Sequence, residues 1–469
     1  MTQRQELTAF RLGDVRGIYP EEIDETFAYR FAGAFARRFH IAGAVAIGRD
    51  TRASGISLQH ALYRGFADCG IESLDLGLCP TELGYFASAC SGVDAAIIVT
   101  ASHNPARYNG FKCVLKGGQA VTFDTGLGDV MRSMLEGNDQ YSGEDNGTPG
   151  PTDFAARYLS WLTSRFSPGS FQIGRIAVNG LNGTASTLAA DIADAFGLPV
   201  TWFRKEPGPI PGEGADPGNP RLAAEMKSFM KDGDFALGVA WDGDCDRCVF
   251  FDGEGEKLPT YYVVGLLAEH FLQQCPGRAI VFDTKLCWNT LDIIAEHAGK
   301  PIPSQTGHAF MKQNMRRSNA IYGGEMSSHH FFGEFFHCDS GMLAWLNILK
   351  VLSQSGCTIA ELISERRRRF CSIAEINLRL TDIDRAFREI REHYNGKSAH
   401  VREFDGLSVE LPGDWRFSLT PSKTESLVRL NMESRTGDGI LVNEGTKLLK
   451  RLQTFQADGT DLLDQLIIQ

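Results

Sequence analysis

Asp242, Asp244 and Asp246 stand at alternate positions directly after the apolar run 235–241. Three carboxylates at this spacing repel one another unless something neutralises them, and a hard divalent cation with oxygen ligands does so. A calcium-loop reading fits poorly: its sixth position requires Gly and holds Arg247, and its twelfth requires Glu and holds Gly253. A Mg²⁺ site with few protein ligands fits better, because Mg²⁺ adds phosphate oxygens or water. Arg247 sets a bidentate phosphate donor beside the carboxylates.

Thr100-Ala101-Ser102-His103-Asn104-Pro105 follows the wholly apolar run 95–99. Ligand groups in open α/β sheets gather beyond the carboxyl ends of strands, so Ser102 is placed to act as nucleophile or phosphoacceptor, with His103 next to it. Taken alone the segment reads equally as a turn, since Ser, Asn and Pro are all turn formers. No G-x-S-x-G elbow accompanies it, which removes the hydrolase of that type. In Gly323-Gly324-Glu325-Met326-Ser327-Ser328-His329-His330 the alternation of Glu325, Ser327 and His329 would aim them one way along an extended loop, and a carboxylate with a hydroxyl suits paired sugar hydroxyls. Thr420-Pro421-Ser422-Lys423-Thr424-Glu425, with Arg429 beyond it, combines hydroxyls, cations and turn backbone that can hold a phosphate, although an ordinary loop has the same composition. Neither a Walker-A sequence nor a G-x-G-x-x-G after a strand is present, so nucleotide kinases and dehydrogenases lack their usual phosphate cradle.

The elements that must carry these loops alternate strand and helix. Strands are expected at 45–47, 95–99, 108–115, 235–241, 248–251 and 279–282, and helices at 58–69, 187–196, 262–274 and 342–354, with Gly197 closing the second of these helices. A strand over 373–380, a helix over 382–394 and strands around 427–432 mark a different C-terminal region. The Pro/Gly-rich segment 206–220 is too long for a plain connection and is expected to be functional. Arg366 to Arg369 is read as a solvated boundary. The fold class is α/β: three similar α/β domains at 1–150, 151–256 and 257–369, and a smaller α+β domain at 370–469.

The 469 residues include 47 Lys+Arg and 58 Asp+Glu, a net charge of −11, with 43% hydrophobic residues. That apolar content excludes intrinsic disorder, and the acidic balance disfavours nucleic-acid binding. No run approaches a membrane span, and the polar first ten residues carry no signal-peptide core. The eleven Cys are scattered, and Cys245 and Cys248 have no second C-x-x-C to complete a zinc site, so reduced thiols in a cytoplasmic protein are expected.

These motifs, in this order, resemble the α-D-phosphohexomutase family over nearly the whole chain, from Phe10-Arg11-Leu12-Gly13-Asp14-Val15-Arg16-Gly17 to Arg429-Leu430-Asn431-Met432-Glu433-Ser434. Trp288-Asn289-Thr290 and Cys338-Asp339-Ser340-Gly341 look like its mannose-type branch. The resemblance implies four domains around a central cleft, with a phosphoserine at Ser102 and a Mg²⁺ site on Asp242, Asp244, Asp246 and that phosphoserine. It implies catalytic or orienting roles for His103, Arg16, Lys112, Arg247 and His308. Substrate binding falls to Lys285, Glu325, Ser327, His329, Ser422, Lys423, Thr424 and Arg429. The activity implied is interconversion of mannose 6-phosphate and mannose 1-phosphate, supplying GDP-mannose synthesis, with a hexose 1,6-bisphosphate as intermediate and activator. Another hexose phosphate, or a sugar-phosphate phosphatase, is the alternative. The partners expected are a phosphosugar, no nucleic acid and no membrane, in a monomer or dimer. One departure stands out: the family's last loop usually reads R-[SA]-S-N-T-E-P, and here Thr420 replaces the leading Arg and Lys423 the Asn.

Overall fold

The computed structural model describes residues 8–137, 149–395, 399–422 and 427–469. The chain opens with β1 (Val15–Ile18), the helix Glu25–Phe39, β2 (Ala44–Arg49), the helix Gly55–Asp68, β3 (Ser73–Leu78), the helix Thr81–Ser88, β4 (Val93–Val99), β5 (Tyr108–Leu115) and a short β6 (Gln119–Ala120). They form one mixed sheet of order β1-β5-β4-β2-β3, with β6 beside β5. β2 lies parallel to β3 and β4, and β5 returns antiparallel to β4. β4 is covered on both faces, which is why it reads as a continuous apolar run. The helix Glu25–Phe39 begins at Asp24, whose carboxylate accepts from Phe27 N at 2.7 Å, and buries Phe27, Phe31 and Phe35 at four-residue spacing against Phe66 and Phe111.

β7 (Ile176–Asn179), β8 (Val200–Phe203), β9 (Leu237–Trp241) and β10 (Cys248–Phe251) make a second sheet of order β10-β9-β7-β8, parallel except for the β9–β10 hairpin. Gly197 closes the helix Ser186–Phe196 at φ +65°. β11 (Ala279–Asp283) runs parallel between β12 (Lys300–Ser304) and β13 (Tyr322–Gly324). The antiparallel pair β14 (His330–Phe332) and β15 (Cys338–Asp339) precedes the helix Gly341–Ser355. The C-terminal sheet is antiparallel: β16 (Cys371–Ser372), β17 (Ile376–Leu378), β18 (His400–Glu403), β19 (Leu407–Leu411), β20 (Trp415–Pro421) and β21 (Val428–Ser434) in order β16-β21-β20-β19-β18, with β17 also on β21. Its apolar face, with Trp415, Phe417 and Leu419, packs on Leu441, Leu448 and Leu449 of the helix Asp438–Leu452.

The chain thus has the mixed α/β architecture the sequence predicts. It separates into two compact units, Met1–Leu258 with Ser328–Thr358, and Pro259–Ser327 with Ile359–Gln469. One local expectation is corrected. The strand over 373–380 is broken, because Ala374 N donates to Ile467 O at 2.8 Å instead of continuing the ladder on β21. Arg366 to Arg369 form the last turn of the helix Ile359–Arg369, where Arg367 to Arg369 are solvent-exposed as expected and Arg366 and Arg369 pair with Asp292 and Glu296. Cations suit that end of a helix. Among the described residues no helix is long and apolar enough to cross a membrane.

Candidate active site

In the first unit, β4 and β9 deliver their following loops to one buried cluster. Ser102 Oγ donates to Asp242 Oδ2 at 2.7 Å and lies 3.2 Å from His103 Nδ1. Ser102 is buried and holds φ +51°, a left-handed conformation that a non-glycine residue adopts only when its surroundings impose it. Asp242, Asp244 and Asp246 are fully buried. Lys112, on β5, donates to Asp244 Oδ2 at 2.6 Å and also to Asp246 Oδ2. Thr81 Oγ1 donates to Asp244 Oδ2 at 2.7 Å, and His329 Nε2 lies 3.2 Å from Asp246 Oδ1. Arg247 N donates to Asp242 Oδ1 at 3.1 Å, with its guanidinium 3.8 Å from the same carboxylate. Arg16 donates to Asp14 at 2.5 Å and to Asn104 Oδ1 at 2.7 Å.

The electrostatics divide the three carboxylates. Burial, then Asp246 and Asp244, push Asp242 well above the usual carboxylate range. Burial pushes Asp246 the same way, but the Lys112 ammonium and His329 outweigh it and hold Asp246 well below. Loss of solvent, then the cations Arg247 and Arg16, hold His103 well below its ordinary value, so its imidazole is neutral. The sequence reading left all three aspartates uncompensated; Lys112 compensates two. A divalent cation still fits. The three carboxylates offer oxygens within 4.8 Å of one another, and Asp244 Oδ1 is buried with no hydrogen-bond partner among the described residues. Such an oxygen is a ready ligand for a hard cation.

The second unit carries the sugar-type residues. Glu325 is buried and its Oε1 accepts from Gly307 N at 2.6 Å, while Oε2 lies 3.4 Å from Ser327 Oγ. Gly307, at φ +124°, opens the helix His308–Ser318, which sets His308 at its first position. Asp283 accepts from Lys285 N and Met326 N, and burial pushes it up to about 7. Lys285 Nζ donates to Glu375 at 3.0 Å, and Arg429 lies 3.5 Å from the other oxygen of Glu375. Both cations thus converge on one carboxylate. Thr420 faces Arg429 directly across the β20–β21 pair, so a guanidinium stands beside the position whose Arg is missing. Ser422 closes the hairpin through Leu427. Lys423 and Thr424 lie outside the described residues. The extended run expected through Glu325, Ser327 and His329 is interrupted at Ser328, at φ +70°, and His329 belongs to the Asp246 cluster instead.

Several residues of the cluster escaped the sequence reading. Asp50 and Arg52 follow β2 at the same sheet end as Ser102, and the D-T-R run after an apolar strand was their signal. Arg52 donates to Asp50 Oδ2 and to the carbonyls of Ser102, Asn104, Pro105 and Tyr108. The segment 206–220 was expected to be functional without a stated task. Its Gly214 packs on the Ser102 loop so closely that a Cβ there would sit 2.0 Å from His103 O.

Residues 7–127 match the family model for phosphoglucomutase/phosphomannomutase, alpha/beta/alpha domain I, and residues 259–370 that for domain III. A phosphomannomutase of Escherichia coli is 40% identical over 457 residues, covering 95% of this chain and 98% of its own. A phosphomannomutase of Vibrio cholerae serotype O1 is 38% identical, covering 96% and 99%. The crystal structure of a phosphoglucomutase/phosphomannomutase family protein from Burkholderia thailandensis superposes with a TM-score of 0.83 at 28% identity, over 97% of this chain and 98% of that one.

Proposed function

Because this chain belongs to the phosphoglucomutase/phosphomannomutase family, we propose that it interconverts mannose 6-phosphate and mannose 1-phosphate through phosphorylated Ser102 and a hexose 1,6-bisphosphate, and so supplies GDP-mannose synthesis. It is an isomerase, an intramolecular phosphotransferase. The observation that carries the reading is the 2.7 Å hydrogen bond from Ser102 Oγ into a buried carboxylate cluster with Lys112 and Arg247 around it.

In the first half-reaction the free sugar hydroxyl attacks the phosphorus on Ser102 Oγ; the O–P bond to serine breaks as the bond to the sugar forms. Such a transfer asks chiefly for positioning and charge neutralisation. A Mg²⁺ ion, when bound by Asp242, Asp244, Asp246 and the phosphoserine, would supply part of that neutralisation. Arg247 contributes bidentate donors to the phosphoryl oxygens. Lys112 keeps Asp246 ionised and holds Asp244 and Asp246 in line. Arg16, through Asn104, orients the loop, and neutral His103 keeps Nδ1 at hydrogen-bond distance from Ser102 Oγ. Glu325 and Ser327 recognise ring hydroxyls, with His308 as a proton-transfer or orienting group, while His329 stays with Asp246. Lys285, Ser422, Lys423, Thr424 and Arg429 hold the phosphate that is not being transferred. The bisphosphate then turns over and returns its other phosphoryl group to Ser102, which also makes it the activator of unphosphorylated enzyme. The division at 150, 256 and 369 gives each of four domains one of these loops.

The test is a coupled assay on mannose 1-phosphate with a trace of bisphosphate, with glucose 1-phosphate alongside. Mannose 6-phosphate should form, and Ser102→Ala should abolish it. Release of inorganic phosphate in place of mannose 6-phosphate would identify a phosphatase, and faster turnover of glucose 1-phosphate would move the substrate.

A further inference from the structure

The side chain beneath the Ser102 loop is Arg52, and it spends all five of its N–H donors there. Nε donates to Asp50 Oδ2 at 3.0 Å. Nη1 donates to Pro105 O and Tyr108 O, both at 2.7 Å. Nη2 donates to Ser102 O at 2.9 Å and to Asn104 O at 2.7 Å. Neither Arg52 nor Asp50 exposes its side chain. Asp50 Oδ1 accepts from Arg52 N at 2.9 Å, and Oδ2 accepts from Thr100 Oγ1 at 2.7 Å. The Thr100 oxygen in turn accepts from Ser102 N at 2.8 Å. One ion pair therefore grips Ser102 by both its amide and its carbonyl.

This arrangement has two physical effects. It imposes the left-handed backbone of Ser102 (φ +51°), which aims Oγ at Asp242. It also commits four carbonyl oxygens of the loop to a cation, so their lone pairs are not spent against a phosphoryl dianion on Ser102. A planar fork with five donors can serve four carbonyls and a carboxylate together; an ammonium with three donors cannot.

We propose that Arg52 is a positioning residue for phosphoryl transfer: it sets the backbone of the phosphoacceptor loop from below, and its loss slows transfer to and from Ser102 whatever the sugar. The inference rests on Ser102 being the phosphoacceptor. The experiment is single-turnover labelling of the full chain with hexose 1,6-bisphosphate carrying labelled phosphate, on wild type, Arg52→Lys, Arg52→Ala and Thr100→Val, with thermal melting run beside it. Arg52→Lys should label Ser102 about a hundredfold more slowly or worse, as expected for a misplaced reacting group. The reduction should be the same for mannose and glucose bisphosphates, with half-saturation moved less than about threefold, because sugar binding is untouched. Added guanidinium ion should speed Arg52→Ala saturably. If the Arg52 variants fail to fold, Thr100→Val decides, since it keeps Arg52 but cuts the link to Ser102 N: slowed labelling in a folded protein supports the proposal, and unchanged labelling overturns it. Equal labelling of wild type and Arg52→Lys overturns it too, as does guanidinium raising the melting temperature of Arg52→Ala without the rate. Absence of label from wild-type Ser102 would overturn the phosphoserine reading itself, a result distinct from these.

Discussion

Lys112 is the residue on which the carboxylate loop depends most directly. It reaches Asp244 and Asp246 together, from a position 132 residues earlier in the chain than Asp244. Removing one partner of a buried ion pair strands the other and costs about 3–5 kcal/mol. Lys112→Met should therefore unfold at clearly lower denaturant concentration than wild type, and added Mg²⁺ should recover more stability in the variant than it adds to wild type. Equal midpoints for the two proteins would show that the ammonium is not needed. The three aspartates were legible in the sequence because their own spacing announces mutual repulsion. Lys112 was legible only through family resemblance, because its partners are set by the register of β5 on β4. Arg52 was passed over for the same reason: four of its five donors go to carbonyls some fifty residues away that the sheet brings near. The phosphate loop was legible as a composition but not as a geometry, and Arg429 opposite Thr420 appears only once β20 and β21 are paired.

Among the elements, the long loop between β8 and the helix Pro220–Lys231 has a measurable task. Gly214 sits at φ +103° against the carbonyl of His103, and a Cβ at Gly243 would come 2.9 Å from Ser102 O. A left-handed backbone in a residue with a side chain costs on the order of 1–3 kcal/mol, and displacement of a reacting group by about 1 Å costs about a hundredfold in rate. Gly214→Ala should lower both the melting temperature and kcat, whereas Gly212→Ala, with nothing near its added Cβ, should change neither. An unaltered kcat in Gly214→Ala would show that the loop does not brace Ser102. The helix Gly341–Ser355 begins over buried Glu82, which accepts from Ser340 Oγ at 2.5 Å and Met342 N at 3.3 Å. Burial pushes Glu82 up to about 7. Its unfolded value is near 4.3, so the proton is held more tightly in the folded chain. The resulting stability is fully present below about pH 4 and is lost as pH rises through 7. Glu82→Gln should flatten this fall: between pH 5 and pH 8 its melting temperature should drop less than that of wild type. Parallel melting profiles would remove Glu82 as the cause. Helices and strands were mostly legible from apolar periodicity, as with β5 and β10. The broken strand near 375 was not, because Glu375 answers to Lys285 and Arg429 rather than to its neighbours in sequence.

At the scale of the whole molecule, the α/β class was legible from alternating patterns, and the long-range path of the chain was not. Each unit has a core of its own, built around Phe27, Phe31 and Phe66 in the first and Trp415, Phe417 and Leu449 in the second. Units with separate cores seldom melt as one, so calorimetry should give a total enthalpy larger than the van't Hoff value, and a substrate analogue should move the component transitions unequally. A single transition with matching enthalpies would contradict this. The first unit is also discontinuous: the chain leaves it after Leu258 and returns only for Ser328–Thr358. That returning stretch supplies His329 to Asp246 and Trp345, which packs edge-on against Trp241 with ring centroids 5.3 Å apart. On the ribosome, then, the aspartate loop emerges long before the residues that bury it. At about 5–20 residues per second the delay is roughly 5–20 s, during which apolar surface around Trp241 stays open to chaperones or to other nascent chains. A premature stop between residues 247 and 328 would leave Ser102 and all three aspartates in the product, and yet no finished first unit to hold them.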